Sequence, residues 1–436
     1  MSQDITDEGS TAAPAKEMGR SAVRDVLAVV AGNALEYYDF TIYAYFSIFI
    51  GHAFFPALSQ SAQLIAAVAV FGAGFVARPV GGVIIGAYAD RRGRKAALTL
   101  TFGLMALGTA VIAFTPGYDS IGFAAPILVT LGRLTQGFSA GGETGAATSF
   151  LLERGGVGRK GLFTSWQLAT QGVAALFGGG VGYLVSSILS PQALSDWGWR
   201  LPFAVGLIIA PIGIHIRGRL HETLSHARTV HGTGELIQRI RAGHMTNLLL
   251  ACGVIVGPAV STQVISHYMT TYAMRVLHLP TSTSMLVGLI SGVVGFAGAI
   301  AAGIYFDRYS TSKALTIPQL LAAALAVPLF IWTLHAGTGF ALLVTVGFMT
   351  LFRVLMSPFH LCVIPEMFPA EIRSTSISFV YSITPTIFGG SAQVIIAWLA
   401  SLYRDPMTPA WYVTGANVVS LIAVWALFIR YRRKRS

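Results

Sequence analysis

Between about residue 24 and residue 430 the chain reads as apolar runs of roughly 20–30 residues separated by short polar breaks, and runs of that length cross a bilayer core as helices. In lipid, every backbone N–H and C=O must find its partner inside the protein, so a continuous apolar run of this kind folds as a helix. The runs fall at roughly 24–51, 60–88, 95–114, 121–151, 160–187, 198–217, 246–274, 282–304, 314–335, 339–364, 373–402 and 408–430. Only 11% of the 436 residues are charged and 54% are hydrophobic, whereas a soluble domain carries roughly 25% charged residues. No soluble fold of this size hides so much apolar surface. The expected fold is an all-α membrane protein of twelve transmembrane helices.

The basic residues set the expected orientation. Of the 29 lysines and arginines, 23 fall in alternate breaks and at the two ends, 3 fall in the opposite breaks (Arg200, Arg275, Arg404), and Arg78, Arg133 and Arg353 lie inside runs. Cytoplasmic loops carry such an excess, so both termini are expected in the cytoplasm of a cell (inner) membrane protein. The net charge of +11 is therefore spent on topology and does not point to nucleic acid. Residues 1–20 read as a polar, disordered cytoplasmic tail without the order of a signal peptide. Residues 21–217 form one six-helix half, 218–245 a polar linker, 246–430 a second half, and 431–436 a basic tail.

The break with the densest charge is Gly86-Ala87-Tyr88-Ala89-Asp90-Arg91-Arg92-Gly93-Arg94-Lys95. Asp90, at the end of a span, can pair with arginines and with the amides at a helix start, whose dipole favours an anion. With Arg91, Arg94 and Lys95 it is the expected gate latch, beyond a mere topology signal. A partial copy, Gly303-Ile304-Tyr305-Phe306-Asp307-Arg308, follows the second run of the second half; its ending has become Ser310-Thr311-Ser312-Lys313, which weakens any latch there. Repetition of two halves is a property of secondary transporters.

Charges within spans are costly and mark function by default. Glu36 and Asp39, three residues apart, share one helix face. At a rise of about 1.5 Å per residue, Asp39 lies roughly 22 Å from Arg24 and Arg133 roughly 18 Å from the outer end of its span, so both are near mid-depth. An Asp39–Arg133 pair is allowed, and protonating Asp39 would break it; a permanent structural ion pair is the plain alternative. Glu36 can meet Arg78, and Glu143 is one further carboxylate for proton coupling. Arg353, also near mid-depth, adds a cation from the second half, so a multi-carboxylate substrate could be held between Arg133 and Arg353. Gln167 and Gln171, four apart beside Trp166, form an amide ladder suited to substrate oxygens or to helix–helix bonds. Asn33, Tyr37, Arg78, Gln136, Gln263 and Tyr268 complete the expected substrate residues. His267 is placed close to the outer surface, where it could simply be exposed.

No phosphate loop, zinc spacing or nucleophile elbow occurs, so neither an enzyme nor an ATP-driven pump is expected. No cofactor is needed beyond a proton gradient. Cys252 and Cys362 both fall in apolar runs and read as core residues.

Several motifs together carry a family resemblance. They are Gly32-Asn33 with Glu36 and Asp39-Phe40, then Arg78-Pro79-Val80-Gly81 and the full Gly86–Lys95 stretch. Gly132-Arg133 with Gln136-Gly137-Phe138-Ser139-Ala140-Gly141, Trp197-Gly198-Trp199-Arg200-Leu201-Pro202-Phe203, and Pro365-Glu366 with Pro369 and Arg373 complete the set. Over nearly all of residues 20–430 the chain resembles the metabolite:proton symporters of the major facilitator superfamily. The resemblance implies two six-helix halves, alternating access, and import of citrate, α-ketoglutarate, shikimate, proline or a betaine. Thr164-Ser165-Trp166-Gln167 with Ala169 and Gln171 is most similar to the citrate and tricarballylate branch. Related sugar porters carry an aspartate–arginine pair matching Asp39 and Arg133. Arg353 and His360 depart from the citrate branch and leave the identity of the anion open. The expectation is a monomeric proton symporter of a small di- or tricarboxylate, partnered by membrane lipid. The alternatives are another organic anion, a zwitterionic osmolyte, or a substrate sensor that does not transport.

Overall fold

The computed structural model describes residues 33–141, 160–218, 244–308 and 311–433. Glu143, most of the expected linker, the N-terminal tail and residues 434–436 of the basic tail lie outside these residues. The described residues form twelve long helices. The first half holds α1 (33–45 continuing as Ser47–Phe54), α2 (Gln60–Arg92), α3 (Arg94–Phe114), α4 (Ala124–Gly141), α5 (Lys160–Ile188) and α6 (Leu201–Gly218). The second half holds α7 (Met245–Ser261, Thr262–Tyr268, Met269–Arg275), α8 (Thr281–Arg308) and α9 (Thr311–Ala336). It continues with α10 (Gly339–Leu355, Ser357–Glu366), α11 (Ala370–Thr384, Pro385–Gly390, Ala392–Tyr403) and α12 (Thr408–Arg433). Within the described residues, eight helices carry stretches long and apolar enough to cross a membrane. Within α3 the described apolar stretch is the shorter Thr99–Phe114.

Helix ends follow local chemistry. Ser59 caps α2 by accepting a hydrogen bond from the Ala62 N–H at 3.4 Å, and Thr338 caps α10 through Ala341 at 3.3 Å. The stretch Gly86–Lys95, expected as a loop, is helical on both sides of a single residue. Gly93 alone separates α2 from α3, with φ 91° and ψ 155°, a conformation open to glycine. That is why this charged stretch needs its second glycine.

Each half has its own core. One cluster gathers Tyr43, Phe71, Ile112, Trp199 and Phe203; the other gathers Val264, Tyr272, Phe330, Val346 and Val413. Inside the first half α2 and α4 touch backbone to backbone: a methyl at Gly137 would lie 1.7 Å from the Gly74 carbonyl oxygen, and one at Gly81 would lie 1.8 Å from that of Phe138. Between halves α5 and α8 pack the same way, with Gly172 against Gly292 and Gly179 against Gly288. Small residues allow this approach, which in lipid supplies the van der Waals contact that drives helix association.

The halves also meet through polar contacts at both ends. At the end away from Gly93, Ser47 Oγ lies 3.2 Å from Thr271 Oγ1, and Arg275 donates to the Gln60 carbonyl at 3.1 Å. At the Gly93 end, the Asp307 carboxylate accepts from the Gly161 and Leu162 N–H groups at 2.8 and 2.9 Å. The partial second copy of the charged motif is therefore the one seen closing the halves. Its aspartate caps the opening turn of α5, where the N–H groups have no helical partner. The contact is made by the Asp307 carboxylate, which the altered ending leaves in place. In the first copy, the Arg91 side chain is exposed, while those of Asp90, Arg94 and Lys95 lie outside the described set.

Candidate functional site

Between the halves, with these contacts on either side, lies a cavity of about 160 Å³. From the first half it is lined by Tyr37 and Phe40 of α1, Phe75 and Arg78 of α2, and Gln167 and Gln171 of α5. From the second half come Thr262, Gln263 and His267 of α7, Arg353 and His360 of α10, and Tyr381 of α11. Among the described residues, no acidic side chain is in the lining. The cavity thus offers two guanidinium groups, three amides and two imidazoles.

Two wide helical turns shape its second-half wall. Thr262–Tyr268 of α7 and Pro385–Gly390 of α11 are π-helical, a form found frequently at functional sites. The α7 segment brings Thr262, Gln263 and His267 to one wall. Thr262 accepts from Arg353 Nη1 at 3.3 Å. Gln263 Oε1 lies 2.9 Å from His267 Nδ1 and accepts from Gln393 of α11 at 3.3 Å. His267 Nε2 reaches Thr41 of α1 at 3.5 Å. The expectation of an outer-surface histidine is corrected: His267 is 6% exposed, because the α7 segment turns it inward against Phe71.

Arg78 projects over aromatic rings, its guanidinium carbon 4.5 Å from the centroid of Phe40 and 4.1 Å from that of Phe75. Arg353 approaches from the opposite half. Of the two cations expected from the first half, Arg78 lines the cavity and Arg133 does not. Arg133 has no exposed surface and sits against Phe40, Tyr43 and Phe71 at 4.5–4.8 Å, away from the cavity lining.

Asp39 and Arg133 are close but share no salt bridge. Arg133 Nη1 donates to Gln136 Oε1 at 2.6 Å, Gln136 Nε2 donates to Thr109 Oγ1 at 2.9 Å, and Thr109 Oγ1 lies 2.5 Å from Asp39 Oδ2. A three-bond relay through α3 and α4 stands where a direct pair was expected. Asp39 opens instead onto a separate small cavity bounded by α1, α3 and α6, lined by Leu35, Phe102, Met105 and Leu207. A methyl at Gly206 would lie 2.9 Å from Asp39 Oδ1, so the glycine there leaves room for the carboxylate. Glu36 is buried one turn away.

Four expected substrate residues are placed elsewhere. Asn33 ties α1 to α5, donating to the Gln167 carbonyl at 3.1 Å and to Thr170 at 2.6 Å. Gln136 is held in the relay. Trp166 packs edge-on against Phe296 at the α5–α8 contact, and Tyr268 lies in the second-half core. Each is polar yet spent on packing or helix pairing, an alternative that spacing on one helix does not separate from ligand contact. Residues that the sequence reading left out of the site are Phe40, Phe75, Thr262, His360 and Tyr381, with Thr109 and Gly206 beside Asp39. Aromatic and small polar residues occur throughout such spans, so their types alone gave no signal; the in-span prolines Pro258 and Pro385 were the visible marks of the irregular helices.

The sequence profile of the Major Facilitator Superfamily matches residues 29–384. A citrate-proton symporter of Klebsiella pneumoniae is 34% identical over 427 residues, covering 97% of this chain and 96% of the relative. An alpha-ketoglutarate permease of Escherichia coli K12 is 30% identical over 95% of this chain and 96% of its own. The proline/betaine transporter of the same strain is 30% identical over 91% of this chain and 81% of its own. Among solved structures, the xylose transporter XylE from E. coli in a partially occluded inward-open conformation superposes with a TM-score of 0.75 at 17% identity, over 93% of this chain and 98% of that one. With twelve helices in two halves, a cavity between them and full-length relatives on this scale, the chain belongs to the Major Facilitator Superfamily of multi-pass membrane proteins.

Proposed function

We propose that the chain is a proton-coupled symporter that imports a di- or tricarboxylate, with citrate or tricarballylate first, by alternating access. It would sit in the cell (inner) membrane with both termini in the cytoplasm, as the distribution of basic residues supports. The observation that carries the substrate class is the cavity wall. It presents Arg78 and Arg353 from opposite halves and, among the described residues, no acidic group. Guanidinium groups recognise carboxylates through paired donors, and a molecule with two or more carboxylates can engage both halves at once. The names of the citrate and alpha-ketoglutarate relatives agree with this reading.

The proline/betaine relative raises a zwitterionic substrate as the alternative. A quaternary ammonium group asks for free aromatic faces or an acidic side chain. Here Arg78 already covers Phe40 and Phe75, and the described lining residues include no acid, which favours the anion.

In this reading Asp39 carries the proton and Arg133 is its charge partner through Gln136 and Thr109. Protonating Asp39 removes the charge that orders this relay. Asp307 acts as the latch of the cytoplasmic end. The experiment is a ligand panel on the purified protein: citrate, tricarballylate, α-ketoglutarate and glycine betaine scored by thermal stabilisation. Stabilisation by the carboxylates and not by betaine is expected; stabilisation by betaine alone overturns the assignment.

A further inference from the structure

Phe40 belongs to two sites at once. Its ring lines the central cavity, with the Arg78 guanidinium carbon 4.5 Å from its centroid and that of Arg133 4.7 Å from the same centroid. Arg78 faces the cavity, whereas Arg133 is fully buried and reaches Asp39 only through Gln136 and Thr109. The remaining rings divide between the two cations: Phe75 against Arg78, Tyr43 and Phe71 against Arg133. Among the described contacts, Phe40 is the ring they share. It also follows Asp39 directly in sequence, so the carboxylate and the ring leave adjacent positions of α1 toward different compartments.

We propose that Phe40 couples substrate to proton by holding the cation of the substrate cavity and the cation of the proton site against one ring. The inference rests on the reading above, in which the cavity takes a carboxylate and Asp39 takes the proton. A cation is attracted to the ring face electrostatically, and two cations near one ring disfavour each other. A substrate carboxylate that pairs with Arg78 neutralises one of the two and draws it from the ring. The positive potential around Arg133 and Asp39 then falls, and Asp39 accepts a proton more readily. By reciprocity, a protonated Asp39 strengthens substrate binding by the same factor. Proton and anion therefore load together, although the wall at Phe40 keeps them in separate compartments.

Other polar and titratable groups border this array. Tyr43 lies beside Arg133, Tyr38 donates to the Pro202 carbonyl next to Asp39, His267 stands 6.2 Å from the Phe71 ring, and Arg353 faces from across the cavity. All of them persist in the variants below. They shift absolute affinities without supplying the link between the two sites.

The test is a thermodynamic cycle on the full-length protein in lipid nanodiscs, read as citrate affinity. Asp39→Asn stands for the protonated carboxyl. With Phe40 present, Asp39→Asn is expected to tighten citrate binding by about fivefold or more, the lower range of site-to-site coupling. In the Phe40→Leu background, which keeps apolar bulk without a π face, the factor should fall below about twofold, and Phe40→Tyr should restore it. Phe40→Met provides a second apolar replacement if the leucine variant does not insert. An undiminished factor in Phe40→Leu or Phe40→Met overturns the role of Phe40 while leaving the transport reading in place. Equal affinity with and without Asp39→Asn, Phe40 being intact, overturns Asp39 as the proton carrier. Absence of citrate binding to the unsubstituted protein overturns the substrate reading.

Discussion

At the scale of single residues, the cavity works through charges that apolar spans rarely tolerate. Replacing Arg78 or Arg353 by glutamine should each remove a charged hydrogen-bonding partner worth about 1.5–3 kcal/mol. Carboxylate affinity should therefore fall by roughly ten- to a hundredfold, measured by titration of citrate into the purified variants. Arg133→Gln should leave the cavity wall in place and act on coupling instead, because Arg133 lies behind Phe40. Charged residues were legible in the sequence for a physical reason: an ionised group within an apolar run is costly enough to need a use. That logic found Asp39, Arg78, Arg133 and Arg353. It did not resolve which cation faces substrate, since helical rise gives depth and not direction around the helix axis. Nor did it find Thr109, whose hydroxyl bridges Asp39 to Gln136, because threonines are common in spans and bond their own helix at no great cost.

At the scale of helices, the irregular segments do the positioning. Pro258 lacks an N–H, so the Val254 carbonyl loses its partner within α7. Ser420 of α12 supplies it, donating to Val254 at 2.8 Å while accepting from the Gly257 N–H at 2.9 Å. This lets α7 continue past a proline into the wide turn that carries Thr262, Gln263 and His267. Ser420→Ala should lower stability by about 0.6–1.7 kcal/mol, the range for interhelical hydrogen bonds in membranes, seen as a lower melting temperature in detergent. A valine there would in addition crowd Gly257, where an added methyl already meets Ser420 Oγ at 3.0 Å. Gly137→Ala should be far more damaging, since the added carbon falls 1.7 Å from a backbone oxygen that cannot move away; loss of folded protein on size exclusion is the expected readout. The sequence made the helices easy to find and their ends nearly so, because apolar length and basic flanks mark both. The wide turns of α7 and α11 were not legible, as a single extra residue per turn leaves hydropathy unchanged.

At the scale of the molecule, the two halves, each with its own core, meet along α5 and α8, where Met285 of α8 joins the first-half core, with polar contacts at both ends of the cavity. Alternating access requires those end contacts to open in turn. Thr164 Oγ1 of α5 lies 3.6 Å from Cys362 Sγ of α10 at the end that Asp307 latches. A Thr164→Cys variant, with Cys252→Ala to remove the other thiol, should cross-link to Cys362 under mild oxidant and lose transport, with recovery on reduction. Transport that persists in the cross-linked protein would show that this end need not open. Asp307→Asn should weaken the same closure and slow transport without loss from the membrane. The division into halves was legible from the repeat of the charged motif. Asp307 of the shortened copy makes its contact because capping a helix start needs one carboxylate and none of the basic residues that follow it, while the Asp90 side chain of the full copy lies outside the described residues.

The central claim is proton-coupled uptake of a carboxylate, and reconstituted vesicles test it most directly. Proteoliposomes with an alkaline lumen in an acidic buffer should accumulate radiolabelled citrate or tricarballylate above equilibrium, and a protonophore should abolish the accumulation. The Asp39→Asn protein should still exchange internal for external substrate while failing to accumulate it. Accumulation by Asp39→Asn equal to that of the unsubstituted protein, or carboxylate uptake indifferent to the pH gradient, would contradict the account.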